Sequence, residues 1–393
     1  MSQHAGRIDF SLMVGGPLYQ IFLRTRLALA PLGLLHRRTT VVAGIAWLPA
    51  ALLAMASGHF LPSSGHVSFL YDVEGHIRLL VVLPVLLAAE LPVHERMRGV
   101  LQQFVDRRYI PPAERPKFDA AVVSALRLRN SPLLEIGILL LVYTAGHWLW
   151  RSEIAYGRST WYATSDGSTF SLTLPGYWYA FVSIPLFQFI GFRWYVRLVI
   201  WFRLLWQISR LQLHLISTHP DRSAGLGFVG NSTYCFGPLL LAHGALLSGW
   251  IADRVFHDGN SALDFQVQAT VLITCIVTAI LAPLCVFTSP ISAAKRRGRR
   301  EYGLLAAQYS QAFERKWIHG ERPLDEPMLG SPDMGSLADL GSSYTVVQQT
   351  RLVPFGVKHI TNVAIITAAP LLPLAFTILP LRSLIAQSLK ILL

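Results

Sequence analysis

Four ionisable residues set inside strongly apolar stretches carry the clearest chemistry in this chain: Glu90, Glu135, Arg193 and Arg197. A charge at hydrocarbon depth is costly, so such groups turn toward a protein interior or water, pair with one another, and serve as ion or proton relays. Counting the rise per residue from the ends of the apolar stretches puts all four at matching depth, near one end of their helices. Arg193 and Arg197, four apart, share a helix face. A four-member ion-paired cluster is the geometric expectation, with Glu90 or Glu135 as proton carrier if one of them also meets water. The competing expectation is that each long side chain bends toward the interface.

Other polar groups fall on the same kind of background. His243 lies midway along an apolar stretch and is followed by Gly244, Ala245, Ser248 and Gly249, which suit close helix packing. A hydrogen bond across helices is its plain role and a proton relay its sharper one. Gln266, Thr270, Thr274 and Thr278 recur every fourth residue and form one polar stripe, which either lines a pathway or serves helix contacts through backbone bonding. Outside the apolar stretches, His214, His219, Asp221 and Arg222 form the best loop cluster. Acid–base chemistry there requires convergence in a pocket; otherwise Asp221 caps a turn and Arg222 meets a carboxylate or phosphate.

Gly225-Leu226-Gly227-Phe228-Val229-Gly230 satisfies the G-x-G-x-x-G pattern, but that pattern cradles a pyrophosphate only where a strand runs into a helix. Here it joins two apolar helices, and close backbone approach explains the glycines. His59, His66, Asp72, Glu74 and His76 share one loop without metal-ligand spacing. No Ser-His-Asp order, nucleophile elbow, H-E-x-x-H or P-loop occurs, so no catalytic residue, metal or cofactor is called for.

These groups need a membrane bundle to position them. The chain has 393 residues, 52% hydrophobic and 14% charged, where a soluble domain carries about a quarter charged. Seven stretches reach the roughly 20 residues of a helical crossing: 39–58, 77–95, 132–150, 177–199, 233–252, 266–289 and 360–380. The expected fold is an all-α polytopic bundle. Most of the 34 Lys and Arg fall on one side of it, which places the N-terminus in the cytoplasm with an odd number of spans after it. The first 38 residues lack a cleavable-signal pattern and suit a cytoplasmic, interfacial helix. Lys295, Arg296, Arg297, Arg299 and Arg300 concentrate the net charge of +12 beside a span, which suits anionic lipid head groups. No nucleic-acid reading motif accompanies that charge, so a nucleic-acid partner is excluded. Cys235, Cys275 and Cys285 give neither a disulfide framework nor a zinc site.

The organisation is duplicated. Asp106-Arg107-Arg108-Tyr109-Ile110 with Glu114-Arg115-Pro116 recurs as Glu314-Arg315-Lys316-Trp317-Ile318 with Glu321-Arg322-Pro323, and Val122-Val123…Arg127-Leu128 recurs as Val346-Val347…Arg351-Leu352. Repeats decide architecture. Two parallel three-span repeats joined by a linker span follow: 1–38 precedes them, 39–150 is the first with a cytoplasmic segment at 96–131, and 151–232 holds an external hairpin, the linker and a loop. The second repeat is 233–393, with a cytoplasmic segment at 290–358. It carries an insert at 324–345, a packed cap or a docking element for a protein partner, in which Ser331, Pro332 and Gly341 predict the start and stop of a short helix. Pro370, Pro373 and Pro380 predict a kinked or broken seventh span.

The segments His219-Pro220-Asp221-Arg222-Ser223-Ala224-Gly225-Leu226-Gly227-Phe228 and Ser336-Leu337-Ala338-Asp339-Leu340-Gly341 resemble those of a family of uncharacterised bacterial multi-pass membrane proteins. The resemblance implies a bacterial inner-membrane location and no activity. The functional expectation is a transporter or channel with a path between the repeats, needing a mid-membrane cavity lined by Glu90 or Glu135, Thr274 and His243. The alternative is a non-enzymatic scaffold acting through its cytoplasmic segments. A membrane enzyme would rest on the His/Asp/Arg loop alone.

Overall fold

The computed structural model describes residues 10–378 apart from 31, 63–66, 156–158, 166–169, 321–326 and 328–329. Among the described residues six helices are long and apolar enough to cross a bilayer: α2 (Leu35–Ala56), α3 (Val73–Asp106), α5 (Pro132–Arg151), α7 (Gly227–Asp258), α8 (Ala262–Ile318) and α10 (Val357–Thr377). Shorter elements are α1 (Pro17–Arg24), α4 (Arg115–Arg129) and α9 (Pro332–Gln349). Strands β1 (Ala163–Ser165) and β2 (Phe170–Leu172) pair antiparallel with Ala163 opposite Leu172. The Asp166-Gly167 turn expected between them lies outside the described residues, as do His66, Pro380 and the tail.

The fourth expected span, 177–199, falls within α6, helical from 174 to 209. It does not stand among the six because Pro175, Pro185, Gln188 and a run of Trp and Tyr dilute its apolar half, while Arg193, Arg197 and Arg203 occupy the other. It nevertheless lies flat against α2. Trp178 Nε1 donates to the Ile45 carbonyl at 3.2 Å and Ser183 Oγ to that of Ala46 at 2.6 Å, and Trp194 Nε1 donates to Leu86 of α3 at 2.9 Å.

Prolines shape the long helices. A proline lacks the N–H that would satisfy the carbonyl four residues back, and the helix widens or tightens to absorb the loss. Wide turns at Ile77–Val82 and Tyr179–Ser183 precede Pro84 and Pro185. Tight turns at Ala282–Phe287 and Ala369–Leu374 contain Pro283 and Pro370 with Pro373, so α10 tightens at these prolines and runs on as one helix.

The same element order surrounds both basic segments: a long helix ends at the segment, a returning helix follows, and then another long helix begins. The local structures differ. After α3, Arg108 turns the chain at φ 55, whereas Glu314–Ile318 stays helical and Gly320 turns it at φ 81. The returning α4 packs on α6, while α9 packs on α8. Glu321-Arg322-Pro323 lies outside the described residues. Ser331 and Pro332 do open α9, with Ser331 Oγ accepting from Asp333 N at 3.3 Å. Gly341 does not stop it: the helix continues to Gln349 because Val347 is fully buried against α8.

Inside the bundle, α7 is the most enclosed of the six spans, while α5, α8 and α10 present most of their apolar surface outward. Within residues 10–30, α1 turns one apolar face, Tyr19 and Phe22, into the bundle. Phe10, Leu12, Met13, Tyr19 and Phe22 are buried, making a strap packed into the bundle. Phe10 reaches Trp201 of α6, with ring centroids 6.2 Å apart.

Candidate functional site

The four charged residues placed at one depth meet in two linked pairs. Glu90 Oε1 lies 2.8 Å from Arg197 Nη1, and Glu135 Oε1 lies 3.1 Å from Arg193 Nη2. Sequence reasoning missed a fifth member. Arg38, not singled out by the sequence, bonds Glu90 Oε2 at 2.8 Å and the Leu87 carbonyl at 3.3 Å from the first turn of α2. Its guanidinium stacks over Phe22 at 5.5 Å, and that of Arg197 over Trp194 at 5.4 Å. Arg38, Glu90, Arg193 and Arg197 are all buried.

The strap closes this cluster. Gly15 and Gly16, at φ 143 and 87, turn the chain where a side chain would collide with Asn130 and Glu135. Gly16 N then donates to Asn130 Oδ1 at 3.2 Å, and Leu18 N, in the first turn of α1, donates to Glu135 Oε2 at 2.9 Å. A carboxylate at a helix N-terminus satisfies an open N–H and the helix dipole together. Ser11 Oγ accepts from Met13 N and Val14 N at 3.0 and 2.9 Å, so its single proton points to His94 Nδ1, 2.8 Å away. That fixes His94 as an acceptor at Nδ1.

A second site is a pocket of about 270 Å³, open on one side and lined by α3, α6 and α7. Leu86, Phe187, Phe192, Leu239 and Leu246 make it largely apolar, and its polar groups are Gln188 and the hydrogen-bonded pair Tyr195 and His243. His243 Nδ1 lies 2.7 Å from the Leu239 carbonyl, which can only accept, so the ring proton sits there. Nε2 therefore accepts from the Tyr195 hydroxyl at 2.6 Å. The hydroxyl proton is committed, and Tyr195 Oη presents a lone pair as an acceptor.

Neither expected carboxylate reaches this cavity: Glu90 and Glu135 are held in the strapped cluster, and the lining contains no residue of α8. Gln266, Thr270, Thr274 and Thr278 are exposed on the outer face of α8 instead. Their four-residue spacing predicts a shared face, but spacing alone does not say whether that face turns inward.

In the glycine loop, Asp221 is structural. Its carboxylate accepts from Ser223 N, Gly225 N and Gly227 N at 2.8, 3.0 and 2.7 Å, and lies 3.0 Å from His219 Nδ1. His214 and Arg222 are exposed, so the four residues do not converge. In the basic run, Lys295 Nζ donates to the Thr350 carbonyl at 2.6 Å and Arg297 to that of Leu215 at 3.0 Å. These two tie neighbouring loops to α8, and Arg296, Arg299 and Arg300 are exposed at its surface.

Comparison with known protein families, with characterised proteins and with solved structures finds no match to the chain.

Proposed function

We propose that the chain is a multi-pass protein of a bacterial inner membrane and transports a lipid-soluble molecule through the cavity between its two halves. The cavity carries this reading. It is apolar, it lies where helices of both proposed repeats (α3 and α7) meet the linker helix α6, and it holds one hydrogen-bonding pair. Such sites take largely apolar ligands oriented by a few polar contacts. Because the Tyr195 proton is committed to His243, the favoured ligand brings its own donor, a hydroxyl or N–H, to Tyr195 Oη. An ion or proton path through Glu90 or Glu135 has less support, since both carboxylates are ion-paired and Glu90 is buried.

Counting α6 as a crossing gives seven spans, and its contacts along α2 and α3 support that count. The charge bias supports a cytoplasmic N-terminus. Ala242→Trp, which fills the cavity, tests the transport reading. The parent protein is expected to release a lipid-soluble compound on solvent extraction, detectable by mass spectrometry, and the folded variant is expected to lose it. Equal recovery from both would rule the cavity out as the binding site.

A second reading, a scaffold, has its own observation: Leu304, Leu305, Ile318 and Met334 are exposed on the paired helices α8 and α9. Residues 324–326 and 328–329 of the insert lie outside the described residues.

A further inference from the structure

The buried cluster does not balance. Among the described residues Arg38, Arg193 and Arg197 are 1%, 7% and 6% exposed and meet two carboxylates, Glu90 and Glu135. One guanidinium charge is left over in a dry place, where an uncompensated charge is strongly unfavourable. Arg38 gives a second sign: its Nε and Nη1 are buried without a hydrogen-bond partner. Next to the cluster a small cavity of about 20 Å³, open on one side, lies where α4, α5 and α6 meet. Arg129, Arg193 and Arg197 line it with Glu135, and Ile138 and Val196 supply apolar wall. Glu135 does not cancel the excess, because its oxygens are already engaged by Arg193 and by Leu18 N.

We propose that this cleft seats the phosphate of an anionic phospholipid. Room of this size admits about one oxygen-sized group, so one phosphate oxygen enters between the guanidiniums while the rest of the head group stays at the mouth. Arginine forks suit that oxyanion. Leu133, Ile136 and Val199, exposed on the same two helices α5 and α6, offer apolar surface to the acyl chains. A zwitterionic lipid brings its own cation and leaves the excess charge unmatched, so the cleft discriminates by net lipid charge. The inference is independent of the apolar cavity and its ligand.

The full chain, exchanged into nanodiscs of phosphatidylglycerol and phosphatidylcholine mixed in equal parts and then extracted in mild detergent, is expected to retain phosphatidylglycerol selectively. Leu134→Trp, which blocks the mouth and leaves every charge in place, is expected to abolish that selectivity. Arg129→Gln is expected to lower it about five-fold, the effect of one basic residue at an anionic membrane surface, and serves if Leu134→Trp fails to assemble. Arg127→Gln, exposed on the same helix, is expected to leave it unchanged. Equal retention of the two lipids, or selectivity that survives Leu134→Trp and Arg129→Gln in folded protein, overturns the proposal. Displacement of phosphatidylglycerol by millimolar inorganic phosphate overturns the lipid source and assigns the cleft to a soluble phosphate compound.

Discussion

Replacing Glu90 with glutamine removes one charge and almost no volume, which makes it the sharpest probe of the cluster. The carboxylate bonds Arg38 and Arg197, each at 2.8 Å, and is 4% exposed. Breaking a buried ion pair from one side costs about 3–5 kcal/mol, because the remaining charge stays buried without a partner. Glu90→Gln strands two such charges, so the upper end, about 5 kcal/mol, is expected. Glu135→Gln strands one guanidinium at a more open position and weakens one helix-capping bond, and about 2 kcal/mol is expected for a charge-assisted bond of this kind. Arg115→Gln, at an ion pair whose side chains are 36% and 55% exposed, should stay within about 0.5 kcal/mol. The triple variant Arg38→Met, Glu90→Leu, Arg197→Met removes all three charges at similar volume and should return to within about 2 kcal/mol of the parent. Reversible unfolding in mixed micelles, followed by circular dichroism, ranks the four. A Glu90→Gln loss below about 1 kcal/mol, or a triple variant no more stable than Glu90→Gln, would show that the cluster is hydrated and that the burial argument fails.

Gly244→Ala should destabilise by about 1–3 kcal/mol, because a Cβ there would run into the Thr367 carbonyl where α7 crosses α10, while Gly99→Ala, with open space around it, should be neutral or slightly stabilising in the same unfolding assay. Asp333 offers a pH test: Lys316 Nζ at 2.8 Å and Trp317 Nε1 at 3.0 Å hold its carboxyl below the ordinary value. A depressed carboxylate contributes above its unfolded value and is lost as pH falls through the lowered one. Trp317 emission should therefore hold steady from neutral pH to about pH 4 and change only below it, and Asp333→Asn should show the low-pH emission at neutral pH.

The cluster was legible in the sequence because depth along a helix is arithmetic, and charges inside apolar runs are few. Glu90, Glu135, Arg193 and Arg197 could be placed at one level without knowing how the helices are arranged. Arg38 was not legible, since a basic residue ahead of a span ordinarily marks the cytoplasmic interface, and only tertiary packing turns it inward. Ser11, Gly16 and Leu18 were hidden for another reason: they act through backbone N–H groups and one hydroxyl in a segment with no periodicity to read. Tyr195 looked like one aromatic among many, and its bond to His243 depends on how α6 and α7 face each other. The polar stripe of α8 shows the reverse error, where a real periodicity named a face but not its direction. α6 sits between these cases, with Trp, Tyr and Arg that lower its hydropathy also making the bonds that hold it to α2 and α3.

The strap also imposes an order on biogenesis. Residues 10–18 leave the ribosome well before their partners Asn130, Glu135 and Trp201. They must wait, unburied, until more than half of the chain has been synthesised and the helices around α6 have been inserted. Closure of the strap therefore reports that the helices up to α6 have come together. A chain that stalls before α6 is inserted would expose Phe10, Leu12 and Met13 to the quality-control machinery of the cell.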